Sequence, residues 1–290
     1  MPLQPAKPPA QSTTDAKLKI YFLPNLLTAG NLFCGFLALT RIVEADPARG
    51  DFSHIIRKAI FLILLALIFD LFDGRVARMG GHESPFGREF DSLADMISFG
   101  AAPAFLVHHI ILKDVLSGSP RLSWMIAAIY LICGAFRLAR FNCLAAISGT
   151  GGGKEFLGFP IPAAAGLVSS LTLFLLWLED NGSPIGKWGF VLPAIMVFLS
   201  LMMVSEVKYP TFKSLDFRAK RTFTKMVVIV LLVACLVLLW EKILQIILPI
   251  LFTVYLVYGF IRPRISRKVR DEIEEEEESE DDIEGVSGGS

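Results

Sequence analysis

Apolar residues in this chain come in long blocks rather than in alternation with polar ones. A scan for apolar runs of roughly 17–25 residues gives eight candidate spans, over residues 22–43, 59–77, 92–112, 122–145, 160–178, 188–205, 225–240 and 243–261. Short connections separate them and carry breaker residues, such as SGSP at 117–120 and NGSP at 181–184. Backbone N–H and C=O groups in hydrocarbon have to be satisfied internally, so these blocks predict helices. The strand alternation of an outer-membrane barrel is absent. The expected fold is an all-α polytopic membrane helix bundle: six helices in a catalytic part and two further transmembrane helices as an appended scaffold.

Composition supports a bilayer setting. Hydrophobic residues make up 53% of the 290, above the roughly 45–50% apolar content of soluble domains. The formal net charge of zero hides a division, because residues 271–284 hold eleven of the 28 acidic residues and no base. Residues 1–270 therefore carry 17 acids against 28 bases, a body of +11 that suits anionic headgroups and anionic substrates. The acidic run reads as a solvated tail. The polar, Pro-rich start lacks the apolar core of a cleaved signal peptide and reads as a retained flexible lead-in. The four cysteines lie in or beside apolar blocks without CxxC spacing, which gives neither a disulfide framework nor a zinc site. No nucleic-acid partner is expected.

Lys and Arg placement sets the expected orientation. With the N-terminus inside, 20 of the 28 bases fall on the cytoplasmic side and 8 on the other. Both termini and residues 70–95 are then cytoplasmic. The layout is a lead-in over 1–19, a membrane core over 20–215, two added helices within 216–264 and a disordered tail over 265–290.

The chemistry gathers where the second span ends, FDLFDGRVARMGG, and the third begins, FGREFDSLADMISFG. Asp70 and Asp73 are three residues apart and Asp91 and Asp95 four apart, so each pair shares one helical face. A turn through Gly80, Gly81 and Pro85 brings the pairs together. Four facing carboxylates repel one another, and each costs up to about 2.5–3.5 kcal/mol in hydrocarbon. A hard divalent cation with oxygen ligands, Mg²⁺ or Mn²⁺, compensates them. Gly74 and Ala77 leave a slot for a flat base or diphosphate, and Arg75 and Arg78 add charge for phosphate oxygens. Gly87 lets the chain re-enter the third helix close to its neighbour. An acidic pair at a membrane helix end is commonly an interfacial cap, but two spaced pairs interleaved with Gly, Ala and Arg go beyond that.

The stretch Asp70-x2-Asp73-Gly74-x2-Ala77-Arg78-x8-Gly87-x3-Asp91-x3-Asp95 resembles the signature of the CDP-alcohol phosphotransferase family, with every fixed position filled. The resemblance implies a six-helix core, usually a homodimer, with two divalent ions. Asp70, Asp73 and Asp91 would be metal ligands, and Asp95 a ligand and the general base. Gly74, Arg75, Ala77, Arg78 and Gly87 would line the CDP and diphosphate site. Cytidine comes from the resemblance alone.

Three further stretches narrow the branch. Pro24-Asn25-Leu26-Leu27-Thr28-Ala29-Gly30-Asn31, Arg137-Leu138-Ala139-Arg140-Phe141-Asn142 and Gly158-Phe159-Pro160-Ile161-Pro162-Ala163 are similar to motifs of the family's bacterial serine-using members, as is Lys208-Tyr209-Pro210-Thr211-Phe212-Lys213. Members that use glycerol 3-phosphate typically carry Arg where Asn31 stands. The resemblance implies an enzyme of the bacterial cytoplasmic membrane that takes CDP-diacylglycerol and L-serine among membrane lipids. Glycerol 3-phosphate, inositol phosphate or another alcohol stands as an alternative acceptor, and an ion-coupled transporter is the rival from another class. Asn31, Arg137 and Arg140 are candidates for acceptor or phosphate binding. Two readings of each stand: Asn31 as an interhelical bond, and the arginines as positive-inside anchors. Pro160 and Pro162 shape a helix start. The run GTGGGK at 149–154 fails the P-loop pattern because Glu155 follows Lys154, and reads as a mobile loop. His108 and His109 lie far from the acids and read as packing residues.

Overall fold

The computed structural model describes residues 22–79, 84–112, 118–148, 155–182, 189–205, 207–210 and 245–258. The expected seventh span, the lead-in, the acidic tail and the Gly-rich run at 149–154 lie outside these residues. The described chain is helical apart from one short ribbon. In order come α1 (Phe22–Glu44), α2 (Phe52–Met79), α3 (Pro85–Asp95), a π-helical turn (Met96–Ala101), α4 (Ala102–Val107), a second π-helical turn (His108–Leu112) and α5 (Pro120–Ser148). Strand β1 (Glu155–Leu157), α6 (Ile161–Asp180), α7 (Val191–Val204) and β2 (Lys208–Pro210) follow, and α8 (Gln245–Tyr258) is the last described helix.

Among the described residues, four helical stretches are long and apolar enough to cross a membrane: Phe22–Glu44, Pro85–Ile110, Pro120–Ala146 and Ile161–Asp180. At about 1.5 Å per residue, the 23 residues of α1 cover the roughly 30 Å of a hydrocarbon core. The protein is a polytopic helical membrane protein, as its block pattern predicts. Helix α2 starts seven residues before the predicted 59, because His54, Arg57 and Lys58 hide its first turns from a hydropathy scan. Its buried positions Ile56, Ala59, Ile60, Ile63 and Ala66 nevertheless keep helical spacing.

The helices alternate in direction, so one end of the bundle collects the start of α1, the end of α2, the start of α3, the end of α5, the start of α6 and the end of α7. At the opposite end Arg57 pairs with Asp180. There His109 Nε2 bonds the Ala45 carbonyl at 2.7 Å and His108 Nδ1 bonds Ser123 Oγ at 3.0 Å. Both histidines are thus interhelical fasteners, remote from the acids.

The short antiparallel ribbon pairs Phe156 with Tyr209, a feature the all-α expectation lacks. It leads into Gly158, whose φ of +78° suits glycine, and where a Cβ would meet the Met203 carbonyl oxygen at 2.3 Å. Gly158 N–H donates to Val207 and Phe159 N–H to Met202, which ties the start of α6 to the end of α7. Pro160 is the N-cap of α6 and Pro162 sits in its first turn, as expected of a helix start.

Candidate active site

Asp70 and Asp73 lie on the last third of α2, Asp91 and Asp95 on α3. Ser84 caps α3 in extended conformation, accepting from Gly87 N–H at 3.0 Å, and Pro85 follows at the first helical position. A Cβ on Gly87 would lie 3.2 Å from Ser84 Oγ and 3.3 Å from Asn25 Oδ1. Glycine therefore lets the first turn of α3 settle against α1.

One carboxylate oxygen from each of Asp70, Asp91 and Asp95 comes within 4.8 Å of the other two. Asp95 is buried, and the charge it meets comes from Asp70 first, then Asp91, then Asp73. Such a group of hard oxygen donors fits a divalent cation of the Mg²⁺ or Mn²⁺ kind. Asp73 stands beside this trio rather than in it. It is buried, and Thr28 Oγ1 on α1 donates to its Oδ2 at 2.9 Å.

Helix α1 supplies a second tie. Asn31, fully buried, donates from Nδ2 to Asp95 Oδ1 at 3.1 Å. An ionised carboxylate only accepts, which fixes the orientation of the amide. The Asn31 backbone carbonyl accepts from Ser98 Oγ at 3.0 Å, in the π-helical turn that follows Asp95. That approach depends on Gly35, since a Cβ there would lie 2.2 Å from Ser98 Oγ and 2.7 Å from Ser98 Cα. In the same turn the Ala102 N–H reaches back to Ile97, five residues earlier, and Tyr130 on α5 donates to the Phe99 carbonyl at 3.1 Å. A π-turn of this kind often accompanies a functional site.

The remaining predicted residues divide. Gly74 and Ala77 lie half-buried on α2 beyond Asp73, with Arg75 exposed; the side chain of Arg78 lies outside the described residues. On α5, Arg137 is buried and interacts electrostatically with Asp95 and Asp70. Arg140 instead donates from Nη1 to the Val204 carbonyl at 3.4 Å, at the C-terminus of α7, where a cation also meets the helix dipole.

Several contacts escaped the sequence reading. Thr28 is a partner of Asp73, and Asn142 donates from Nδ2 to Ser92 Oγ at 3.0 Å and to Glu89 Oε2 at 3.2 Å, pinning α5 to α3. Asn25 Nδ2 is buried with no hydrogen-bond partner among the described residues, beside Gly87. The stretches PNLLTAGN and RLARFN were visible as motifs, but their partners lie tens of residues away in the chain.

The family model described as CDP-alcohol phosphatidyltransferase matches residues 21–204. A Helicobacter pylori protein named CDP-diacylglycerol–serine O-phosphatidyltransferase is 35% identical over 246 residues, covering 84% of this chain and 91% of the relative. A Bacillus subtilis protein of the same name is 33% identical over 192 residues, covering 66% of this chain and 92% of the relative. An archaetidylserine synthase of Methanothermobacter thermautotrophicus is 34% identical over 199 residues, covering 68% and 73%.

Proposed function

Because this chain belongs to the CDP-alcohol phosphatidyltransferase family, we propose that it transfers the phosphatidyl group of CDP-diacylglycerol to the hydroxyl of L-serine, giving phosphatidylserine and CMP. The observation that carries the reading is the convergence of Asp70, Asp91 and Asp95 within 4.8 Å, with Asp95 held by Asn31. Serine as acceptor rests on relatives whose names differ in the lipid part yet share the serine.

In this mechanism the lipid tails lie among the helices and the diphosphate lies at the carboxylates. Asp70, Asp91 and Asp95, with Asp73 beside them, would hold two divalent ions, Mg²⁺ or Mn²⁺, which would supply positive charge to the diphosphate oxygens and to the departing CMP. Gly74, Arg75, Ala77, Arg78 and Gly87 line the nucleotide side, and the buried Asn25 amide offers a donor there. Asp95 accepts the proton of the serine hydroxyl as its oxygen bonds to the phosphorus bearing diacylglycerol. The bond from that phosphorus to the bridging oxygen breaks, and CMP leaves. A hydroxyl is a weak nucleophile at neutral pH, so a placed base is worth roughly 10²–10⁴-fold. Arg137, buried and in electrostatic reach of Asp95 and Asp70, receives the serine carboxylate, an acceptor geometry that guanidinium matches well. Arg140 acts as a helix-end anchor.

The distribution of Lys and Arg, 20 against 8, supports a site at the cytoplasmic face of a bacterial inner membrane, with both termini on that side. A homodimer is proposed from the family resemblance. The deciding experiment measures CMP release by purified protein with CDP-diacylglycerol and Mg²⁺ or Mn²⁺. L-serine, glycerol 3-phosphate and inositol phosphates are offered separately. Release with serine, abolished by chelator and by Asp95→Asn, is the expected result. Release only with another alcohol would refute the acceptor, and undiminished turnover in Asp95→Asn would refute the base.

A further inference from the structure

The helical stretch that carries Asp91 and Asp95 runs on into Pro103, and the proline leaves a gap in its backbone bonding. In an α-helix the Phe99 carbonyl would accept from the amide four residues on, but Pro103 has no N–H to give. A proline ring in a helix also crowds the carbonyl four residues back, which is the same Phe99 carbonyl. Just ahead of Pro103 the chain widens into the π-helical turn Met96–Ala101. Tyr130 of α5 supplies a donor where the regular one is missing, its hydroxyl reaching the Phe99 carbonyl at 3.1 Å. Tyr130, Phe99 and Ser98 are all fully buried, so this bond has no exchange with bulk water to replace it.

Asp95 immediately precedes the π-turn and caps it, so the turn decides where its carboxylate points. An i→i+5 turn holds one residue more than an α-turn. A slip to α register would therefore rotate Asp95 against the following helix by about 100°. Helix α1 holds the turn through Ser98, whose Oγ donates to the Asn31 carbonyl at 3.0 Å. Helix α5 holds it through Tyr130 at Phe99, one helical turn after Asp95.

We infer that Tyr130 is a positioning residue: by giving the Phe99 carbonyl the donor that Pro103 withholds, it locks the π-turn and keeps Asp95 in the carboxylate trio that takes the divalent ion. This rests on the reading above that Asp70, Asp91 and Asp95 hold that ion. Tyr130→Phe keeps the ring and removes only the donor.

The test is titration calorimetry of full-length purified protein with Mn²⁺, together with CMP release over a range of Mn²⁺ concentrations. Tyr130→Phe is expected to raise the Mn²⁺ Kd about tenfold, the worth of leaving one buried carbonyl without its donor. Apparent affinity falls with the fraction of protein whose turn is locked. The Mn²⁺ needed for half-maximal CMP release rises by the same factor. At saturating Mn²⁺, kcat and the KM for each substrate return to within about twofold of wild type, because the ion itself selects the locked turn. Ser98→Ala trims the tie to α1 and is expected to move the Mn²⁺ Kd about threefold in the same direction, as loss of a neutral hydrogen bond does. A wild-type Mn²⁺ Kd in folded Tyr130→Phe overturns the inference, and so does a lowered Tm with that Kd unchanged, which marks a merely structural residue. If Tyr130→Phe does not fold, a wild-type Kd in folded Ser98→Ala overturns it equally. A fall in kcat that saturating Mn²⁺ does not restore overturns the route through the carboxylate trio. Wild-type protein without saturable Mn²⁺ binding overturns instead the metal reading itself.

Discussion

Replacing Asn31 with alanine tests the most specific link in the site. The substitution removes a single bond, from Nδ2 to Asp95 Oδ1 at 3.1 Å, and leaves the Ser98 bond intact because that uses the Asn31 backbone carbonyl. Hydrogen bonds to charged groups are worth about 1.5–3 kcal/mol. A separation of 3.1 Å lies near the long end of the normal N–H···O range, so the lower figure applies. About 1.5 kcal/mol lost in the transition state is roughly a tenfold fall in kcat. Because the bond orients the proposed base and not the acceptor, the serine KM is expected to stay within about twofold. The assay is steady-state CMP release at saturating CDP-diacylglycerol, with Tm measured alongside to confirm folding. A folded Asn31→Ala protein with wild-type kcat would refute the positioning argument. A raised serine KM at unchanged kcat would return Asn31 to the acceptor pocket.

Other outcomes follow from the same geometry. Asp91→Ala removes one of the three converging carboxylates and is expected to abolish saturable Mn²⁺ binding in titration calorimetry together with activity; retained binding would count against the site. Gly35→Ala forces a methyl against Ser98 backbone and side chain, which should lower stability by about 1–3 kcal/mol as overpacking does, seen as a lowered Tm. Arg140→Gln removes the contact with the Val204 carbonyl and is expected to lower Tm slightly with the serine KM unchanged, while Arg137→Gln raises that KM at least about tenfold. An equal effect of the two on KM would refute their separation.

Much of this was legible in the chain. Bilayer thickness dictates the length of an apolar block, so seven of the eight predicted spans coincide with helices, and the remaining one, over 225–240, lies outside the described residues. The spacing of Asp70 with Asp73 and of Asp91 with Asp95 shows shared faces because helical periodicity is local. What was not legible is non-local. Nothing in the neighbourhood of Thr28 announces Asp73, 45 residues on, nor does Asn31 announce Asp95. The π-helical turn at Met96–Ala101 has no periodic signature, because it is set by how α1 and α5 pack on it. The β-ribbon is three residues a side, too short to show alternation. Tyr255 read as scaffold because its ring partner Phe159 lies far away in the chain, before α6.

The order in which the site's parts leave the ribosome has its own consequence. The groups that steady Asp73 and Asp95, Thr28 and Asn31, belong to α1 and are synthesised before either acid. Each aspartate on a nascent helix, costly in hydrocarbon by up to about 2.5–3.5 kcal/mol, therefore arrives to find a donor already waiting. Carboxylate assembly is thus safeguarded early in biogenesis.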